Sequence, residues 1–198
     1  DKSLDAIFIW DSVARQFDLR IHQFKEFENA SEGMYAILGK NTKNRTHSLQ
    51  FARFLAAPSK GQFYFAQRGF VGVNGDLWAE KPALFVYCAN NAKDLILEKI
   101  DLFEEREHVS IDPHFLDQDN IPLTIGLIAR SKAEKSLPDL VFGSIGKEGE
   151  ELSDQFELFS EPLDPHGLQL PVYIRKITRF PSTAKRFVRF LQVSLDTR

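Results

Sequence analysis

Turn-forming residues divide this 198-residue chain into short apolar segments. The segments are rich in aromatic and β-branched side chains, and the chain contains eighteen Phe. Such side chains favour strands, and alternation of apolar and polar residues over four to eight positions is typical of a half-buried strand. The segments predicted as strands, with 62–73 as a hairpin, are 4–10, 15–27, 34–38, 62–73, 83–88, 123–129, 140–145, 155–159, 172–177 and 187–195.

Two further segments predict helices. Residues 48–57 are ended by Pro58 and Gly61, which are typical helix stops. In 91–106 the apolar residues fall close to one helical face at three-and-four spacing. The alternative there is a strand over 95–102, because Leu95, Leu97, Lys99 and Asp101 also alternate.

These segments predict a mainly β fold. We expect an antiparallel β-barrel or sandwich of about nine to eleven strands with one or two helices, with an α+β fold as the alternative. The length fits one β-rich domain over 1–198. The alternative is a division into 1–108 and 123–198, joined by an acidic connection that contains Pro113 and Pro122. The chain begins with Asp1 rather than Met, which suggests excision or processing from a longer protein.

Charge is unevenly distributed along the chain. Residues 1–93 carry a net charge of +3, and residues 169–198 carry seven basic side chains against one acidic, a net of +6. Residues 94–168 carry eighteen acidic side chains against six basic, a net of −12. Either the acidic middle pairs with the basic end inside the fold, or the basic end presents a patch to an anionic partner.

The basic end interleaves cationic and aromatic residues. Guanidinium groups bind phosphate bidentately and aromatic rings stack on bases, so the cluster predicts a site for a cyclic dinucleotide or nucleic acid. The alternative is a strand pair with an apolar face inward and a basic face in water. The candidate ligand-binding residues are Arg175, Lys176, Arg179, Arg186 and Arg189.

Arg175 and Arg179 form an Arg-x-x-x-Arg pair. The pair is similar to the first half of the PilZ-domain pattern, whose arginines bind cyclic di-GMP. The second half of that pattern, Asp/Asn-x-Ser-x-x-Gly, does not follow before Arg198. The resemblance covers five residues and implies a cyclic dinucleotide as ligand.

Catalytic and metal-binding patterns are weak in this sequence. Cys88 ends an apolar run, where a buried thiol is expected rather than a nucleophile paired with His47. The glycines of 143–147 are too close together for a phosphate-binding loop. The acids and histidines of 108–119 lack metal-ligand spacing. We therefore predict no catalytic residue, no metal site and no cofactor.

A non-catalytic binding or regulatory module of a larger protein is the function that fits these features best. Its partners would be a partner protein, other domains of the parent chain, or a small ligand. The alternative is an anion-binding module for a cyclic dinucleotide or nucleic acid, and an enzyme is favoured least. No apolar run approaches the ~18 residues that span a membrane. The single cysteine and the lack of a visible signal favour the cytoplasm.

Overall fold

The computed structural model describes residues 11–18, 20, 34, 36–37, 39, 41–131, 136–146, 155–159, 162–163 and 169–196. These residues fall into two compact units, 1–74 and 75–198. The grouping does not test the single-domain prediction or the suggested division into 1–108 and 123–198, and both stay predictions. The strand predicted at 4–10 lies outside the described residues, as do most of 15–27 and part of 34–38. The first residues of 15–27, Arg15 and Gln16, belong to a helix and not to a strand.

The regular secondary structure of the first unit is helical among its described residues. Its helices are α1 (Asp11–Gln16), α2 (Arg45–Ala56) and α3 (Gly61–Ala66). The helix predicted at 48–57 is confirmed by α2, whereas the hairpin predicted at 62–73 is wrong because α3 occupies its first part. A Cβ at Gly61 would overlap the backbone of Leu55, so the glycine allows α3 to begin directly against α2.

The second unit contains one five-stranded sheet and three α-helices in its described residues. The strand order is β2-β1-β3-β5-β4. β1 is parallel to β2 and β3, and β5 is antiparallel to β3 and β4. The elements are β1 (Ala83–Ala89), a 3-10 turn (Asn90–Ala92), α4 (Lys93–Glu107), β2 (Ser110–Leu116), α5 (Asn120–Arg130), β3 (Leu140–Phe142), β4 (Phe156–Leu158), β5 (Val172–Arg175) and α6 (Pro181–Asp196).

The predicted barrel or sandwich of nine to eleven strands is wrong. The described residues form an α+β fold with one open mixed sheet and six α-helices. Two segments predicted as strands, 123–129 and 187–195, belong to helices α5 and α6. In α6 the buried residues Ala184, Phe187, Val188 and Leu191 recur at three-and-four spacing, which defines the apolar face of a helix.

Helices lie on both faces of the sheet, as parallel crossovers require. On one face, the Phe187 ring of α6 packs 4.9 Å from Phe103 of α4 and 6.0 Å from Phe142 of β3, measured between centroids. On the other face, Ile121 of α5 packs against Gly143, where an added Cβ would lie 2.9 Å from its Cδ1. The core therefore has two apolar layers around β1 and β3.

The helix predicted at 91–106 is confirmed by α4, and its strand alternative is wrong. The strand predicted at 83–88 is confirmed by β1, and the strands at 140–145, 155–159 and 172–177 contain β3, β4 and β5. Within the described ranges no helix is both long enough and apolar enough to cross a membrane.

β2 occupies half of residues 109–122, the segment that the sequence marks as a connection, and α5 begins within the same segment. All seven of its residues pair with β1, and Ser110 donates its backbone N–H to the carbonyl of Pro82. Ile111 donates its N–H instead to the Glu104 carboxylate of α4, at 2.6 Å. Successive residues of a strand direct their backbone N–H groups to opposite sides. The backbone nitrogen of Pro113 therefore points away from β1, as the N–H of Ile111 does. An edge strand tolerates proline there, because no ladder hydrogen bond is lost.

Candidate functional site

A pocket of about 410 Å³ lies in the second unit, beside the first residues of β1. This volume falls in the roughly 300–1,000 Å³ range of small-molecule sites. Most of the lining is apolar and includes Phe85 of β1. The charged lining residues are Lys81, Asp139, Arg175 and Arg179.

The turn between β5 and α6 brings two of the predicted arginines to this pocket. Arg175 is the last residue of β5, and its carbonyl accepts the N–H of Thr178 at 3.2 Å. Arg179 follows that turn, and its carbonyl accepts the N–H of Leu77 at 2.9 Å. The chain thus reverses between the two arginines, and both side chains line one cavity.

Arg175 is half-buried and only partly satisfied. Its Nη1 donates to the carbonyl of Leu137 at 3.2 Å. Its Nε is buried and has no hydrogen-bond partner among the described residues. An arginine carries five N–H donors, so this guanidinium retains unused hydrogen-bonding capacity beside the pocket.

Asp139 is the acidic residue of the pocket lining, and neutral donors hold its carboxylate. Oδ2 accepts the backbone N–H of Phe85 at 3.0 Å, and Oδ1 accepts the Thr178 hydroxyl at 2.6 Å. Across the part of the chain that is described, Lys81, Arg175 and Arg179 make no ion pair within 4.0 Å. The lining therefore carries three positive charges against one negative charge.

The other three predicted ligand residues lie elsewhere. Lys176 is exposed in the turn and does not line the pocket. Arg186 and Arg189 lie on α6, where Arg189 is exposed. Arg186 donates from Nη1 to Oε2 of Glu107 at 3.1 Å, which links the acidic middle of the chain to its basic end. The set of five ligand-binding residues stays a prediction. The fold brings two of them, Arg175 and Arg179, to the same pocket.

One of the two aromatic residues that line the pocket comes from a different part of the chain than the sequence suggests. Phe180 and Phe187, which interleave with the arginines, are buried in the core, although Phe180 also contributes to the pocket wall. Phe85 lies instead on β1, and its ring contacts Tyr87 and His114 at centroid distances of 5.1 and 4.8 Å. The continuous apolar run 83–88 gives no sign that one of its rings reaches a pocket.

Cys88 is fully buried in β1, and burial raises the pKa of its thiol to about 12. A thiol that stays protonated near neutral pH is a poor nucleophile. The acids and histidines of 108–119 lie mostly on β2, where His114 is 3.5 Å from Asp112 on the exposed edge. Among the described residues no group of three or more His, Cys, Asp or Glu could hold a metal ion.

The carboxyl ends of the parallel strands are the usual ligand site in open α/β sheets, at the point where the strand order reverses. Here that point lies between β1 and β3. The fully buried Ile121 of α5 fills the space beside Gly143 and Ala89. The geometry therefore favours the pocket beside the opposite end of β1.

No protein-family model matches this chain, and no curated protein or solved structure is significantly similar to it.

Proposed function

We propose that residues 75–198 form a non-catalytic binding module that takes a small anionic ligand in the pocket beside Arg175 and Arg179. One observation supports this most directly. Lys81, Arg175 and Arg179 line the same cavity, and in the described part of the chain none of them is neutralised by an ion pair. An anion bound there would supply the missing negative charge.

The surroundings of the arginines strengthen such an interaction. Hydrogen bonds between guanidinium and phosphate or carboxylate oxygens are charge-assisted, and they are roughly twice as strong as neutral ones. Apolar neighbours such as Leu137 lower the local dielectric, which increases the Coulomb attraction. The negative charge of Asp139 cancels only part of the positive potential of the pocket, because three cationic side chains line it.

Nucleic-acid binding is the second candidate, and the exposed basic side chains of α6 favour it. Lys185 and Arg189 are exposed, and they lie one turn apart on the same helix face. A phosphate backbone would contact such a face without entering the pocket. Binding to a partner protein or to other domains of a parent chain, and a cytoplasmic location, stay predictions.

Isothermal titration calorimetry with sodium pyrophosphate tests the proposal. Arg179→Gln removes one pocket cation, and Arg189→Gln is the matched control on α6. The Arg179 side chain is exposed, so its replacement should leave the fold intact. We expect wild type and Arg189→Gln to bind alike, and Arg179→Gln to bind about tenfold more weakly.

Equal affinity of the two variants, or no heat of binding at millimolar pyrophosphate, would contradict the proposal. Retention on heparin measures the second candidate. Salt-sensitive retention that is reduced by Arg189→Gln and unchanged by Arg179→Gln would favour nucleic acid over a pocket ligand.

A further inference from the structure

The pocket has an aromatic side as well as a cationic side. The Phe85 ring is half-buried and lines the cavity. The Phe85 ring makes T-shaped contacts with the rings of Tyr87 and His114, at interplanar angles of 77° and 89°. Two edge-to-face contacts fix the orientation of a ring. Phe85 therefore contributes a rigid aromatic surface to the same cavity as Arg175 and Arg179.

We infer that the anionic ligand is a single nucleotide, whose base packs on Phe85 while its phosphate is held by Arg175, Arg179 and Lys81. This inference rests on the proposed anion-binding function and names its ligand class. A nucleotide joins a flat π-system to a phosphate in one molecule. Aromatic side chains stack on bases, and guanidinium groups bind phosphate, so the two halves of the pocket match the two halves of the ligand.

The pocket volume favours one nucleotide over two. A cavity of about 410 Å³ lies near the lower end of the range for small-molecule sites. One base with its phosphate suits this volume better than two linked nucleotides. The cyclic dinucleotide suggested by the Arg-x-x-x-Arg spacing is accordingly the weaker ligand.

Asp139 favours guanine among the bases. Its carboxylate is held beside Phe85 by the Phe85 N–H, and it accepts two hydrogen bonds from the protein. A carboxylate has about four acceptor sites, so roughly two remain. The Watson–Crick edge of guanine presents adjacent N1–H and N2–H donors to such a group. Adenine presents an amino group beside a ring nitrogen acceptor, which a carboxylate repels.

Calorimetry with ligands that differ by the base alone separates the two halves of the pocket. GMP and ribose 5-phosphate carry the same anion, and AMP exchanges the base. For wild type we expect GMP to bind at least about tenfold more tightly than ribose 5-phosphate, because stacking and the Asp139 contact are added. AMP should fall between the two.

Phe85→Leu keeps an apolar side chain and removes the aromatic surface. We expect it to weaken GMP binding roughly fivefold or more and to leave ribose 5-phosphate unchanged. Phe190→Leu is the control, because that partly buried ring packs on Phe103 at 5.3 Å and does not line the pocket. The comparison of ligands on wild type decides the question if the Phe85 variant does not fold.

Each outcome separates the inference from the proposed function. Equal affinity for GMP and ribose 5-phosphate would overturn the nucleotide inference and leave the anion site standing. Failure of both ligands and of pyrophosphate to bind would overturn both. Tighter binding of AMP than GMP would contradict the role of Asp139, and tighter binding of cyclic di-GMP than GMP would contradict the single-nucleotide site.

Discussion

Asp76 accepts two hydrogen bonds from Thr183, one from the backbone N–H at 3.2 Å and one from the hydroxyl at 2.5 Å. Its Oδ1 also accepts the N–H of Ser182 at 2.7 Å. Both Asp76 and Thr183 are buried. A carboxylate from a remote segment thus caps α6. Its negative charge lies at the positive end of the helix dipole, which stabilises the helix.

Asp76→Ala should lower the free energy of unfolding by about 2–3 kcal/mol. The change removes the cap of α6 and leaves the buried Thr183 hydroxyl without its acceptor. Urea denaturation followed by circular dichroism measures the loss. Asp119→Ala is the control, because Asp119 precedes α5 and makes no side-chain capping hydrogen bond. Equal losses in the two variants would contradict the capping role.

Gly143→Ala should destabilise the protein by about 1–3 kcal/mol. Gly143 has φ +145°, which disfavours a side chain, and a Cβ there would lie 2.9 Å from Cδ1 of Ile121. Ile121→Val removes that methyl group, so it should recover part of the loss in a double variant. Gly39→Ala should change little, because no atom lies within 4 Å of its added Cβ. Purely additive losses for Gly143 and Ile121 would exclude the contact.

A double-mutant cycle on Glu107 and Arg186 should give a coupling energy of about 0.5–1 kcal/mol. The Glu107 side chain is 10% exposed and the Arg186 side chain 42%, so water screens the pair in part. The exposed pair Asp11–Arg15, at 3.2 Å, should couple more weakly and lose its coupling in 1 M salt. A zero coupling for Glu107–Arg186 would show that acidic middle and basic end do not stabilise each other through this pair.

Stability should fall as the pH rises from about 9 to 12. Burial raises the pKa of Cys88 from 9.0 to about 12. In this window the unfolded state has lost the thiol proton that the folded state keeps, so the free energy of unfolding decreases, by up to roughly 1.4 kcal/mol per pH unit. Below pH 9 both states are protonated and the effect vanishes.

The Cys88→Ala variant should show a shallower decline over the same window. Burial also raises the pKa of Tyr87, which acts in the same direction and leaves a residual slope. Denaturation midpoints at a series of pH values provide the measurement. A slope that is identical in wild type and Cys88→Ala would rule out the buried thiol as its source.

The sequence pattern identifies an element correctly where its local periodicity agrees with the way the element is buried in the fold. The buried β1 is a continuous apolar run, and α4 has helical spacing. The two helices taken for strands both carry a proline in their first turn, Pro122 in α5 and Pro181 in α6. Each proline suggests a break between strands, although a first turn tolerates proline because its N–H has no partner within the helix.

Two of the five residues assigned to the candidate site, Arg175 and Arg179, could be predicted from the sequence. The Arg-x-x-x-Arg spacing and the surrounding basic residues predict Arg175 and Arg179 as ligand contacts. Lys81, Phe85 and Asp139 reach the pocket from segments that precede the arginines by 36 residues or more. They line the pocket because β1, β3 and β5 lie side by side in the sheet. That arrangement is determined by pairing between distant strands, which local periodicity in the sequence does not reveal.

β2 forms an outer edge of the sheet among the described strands, and its backbone offers a foreign strand few N–H donors. The outward N–H of Ile111 is taken by Glu104, and Pro113 has no N–H to offer. Phe115 supplies the remaining outward donor of the strand by the same alternation. Two of the three outward N–H donors of β2 are therefore unavailable, which disfavours sheet extension from another molecule, the first step of domain swapping and of amyloid-like growth, along this side.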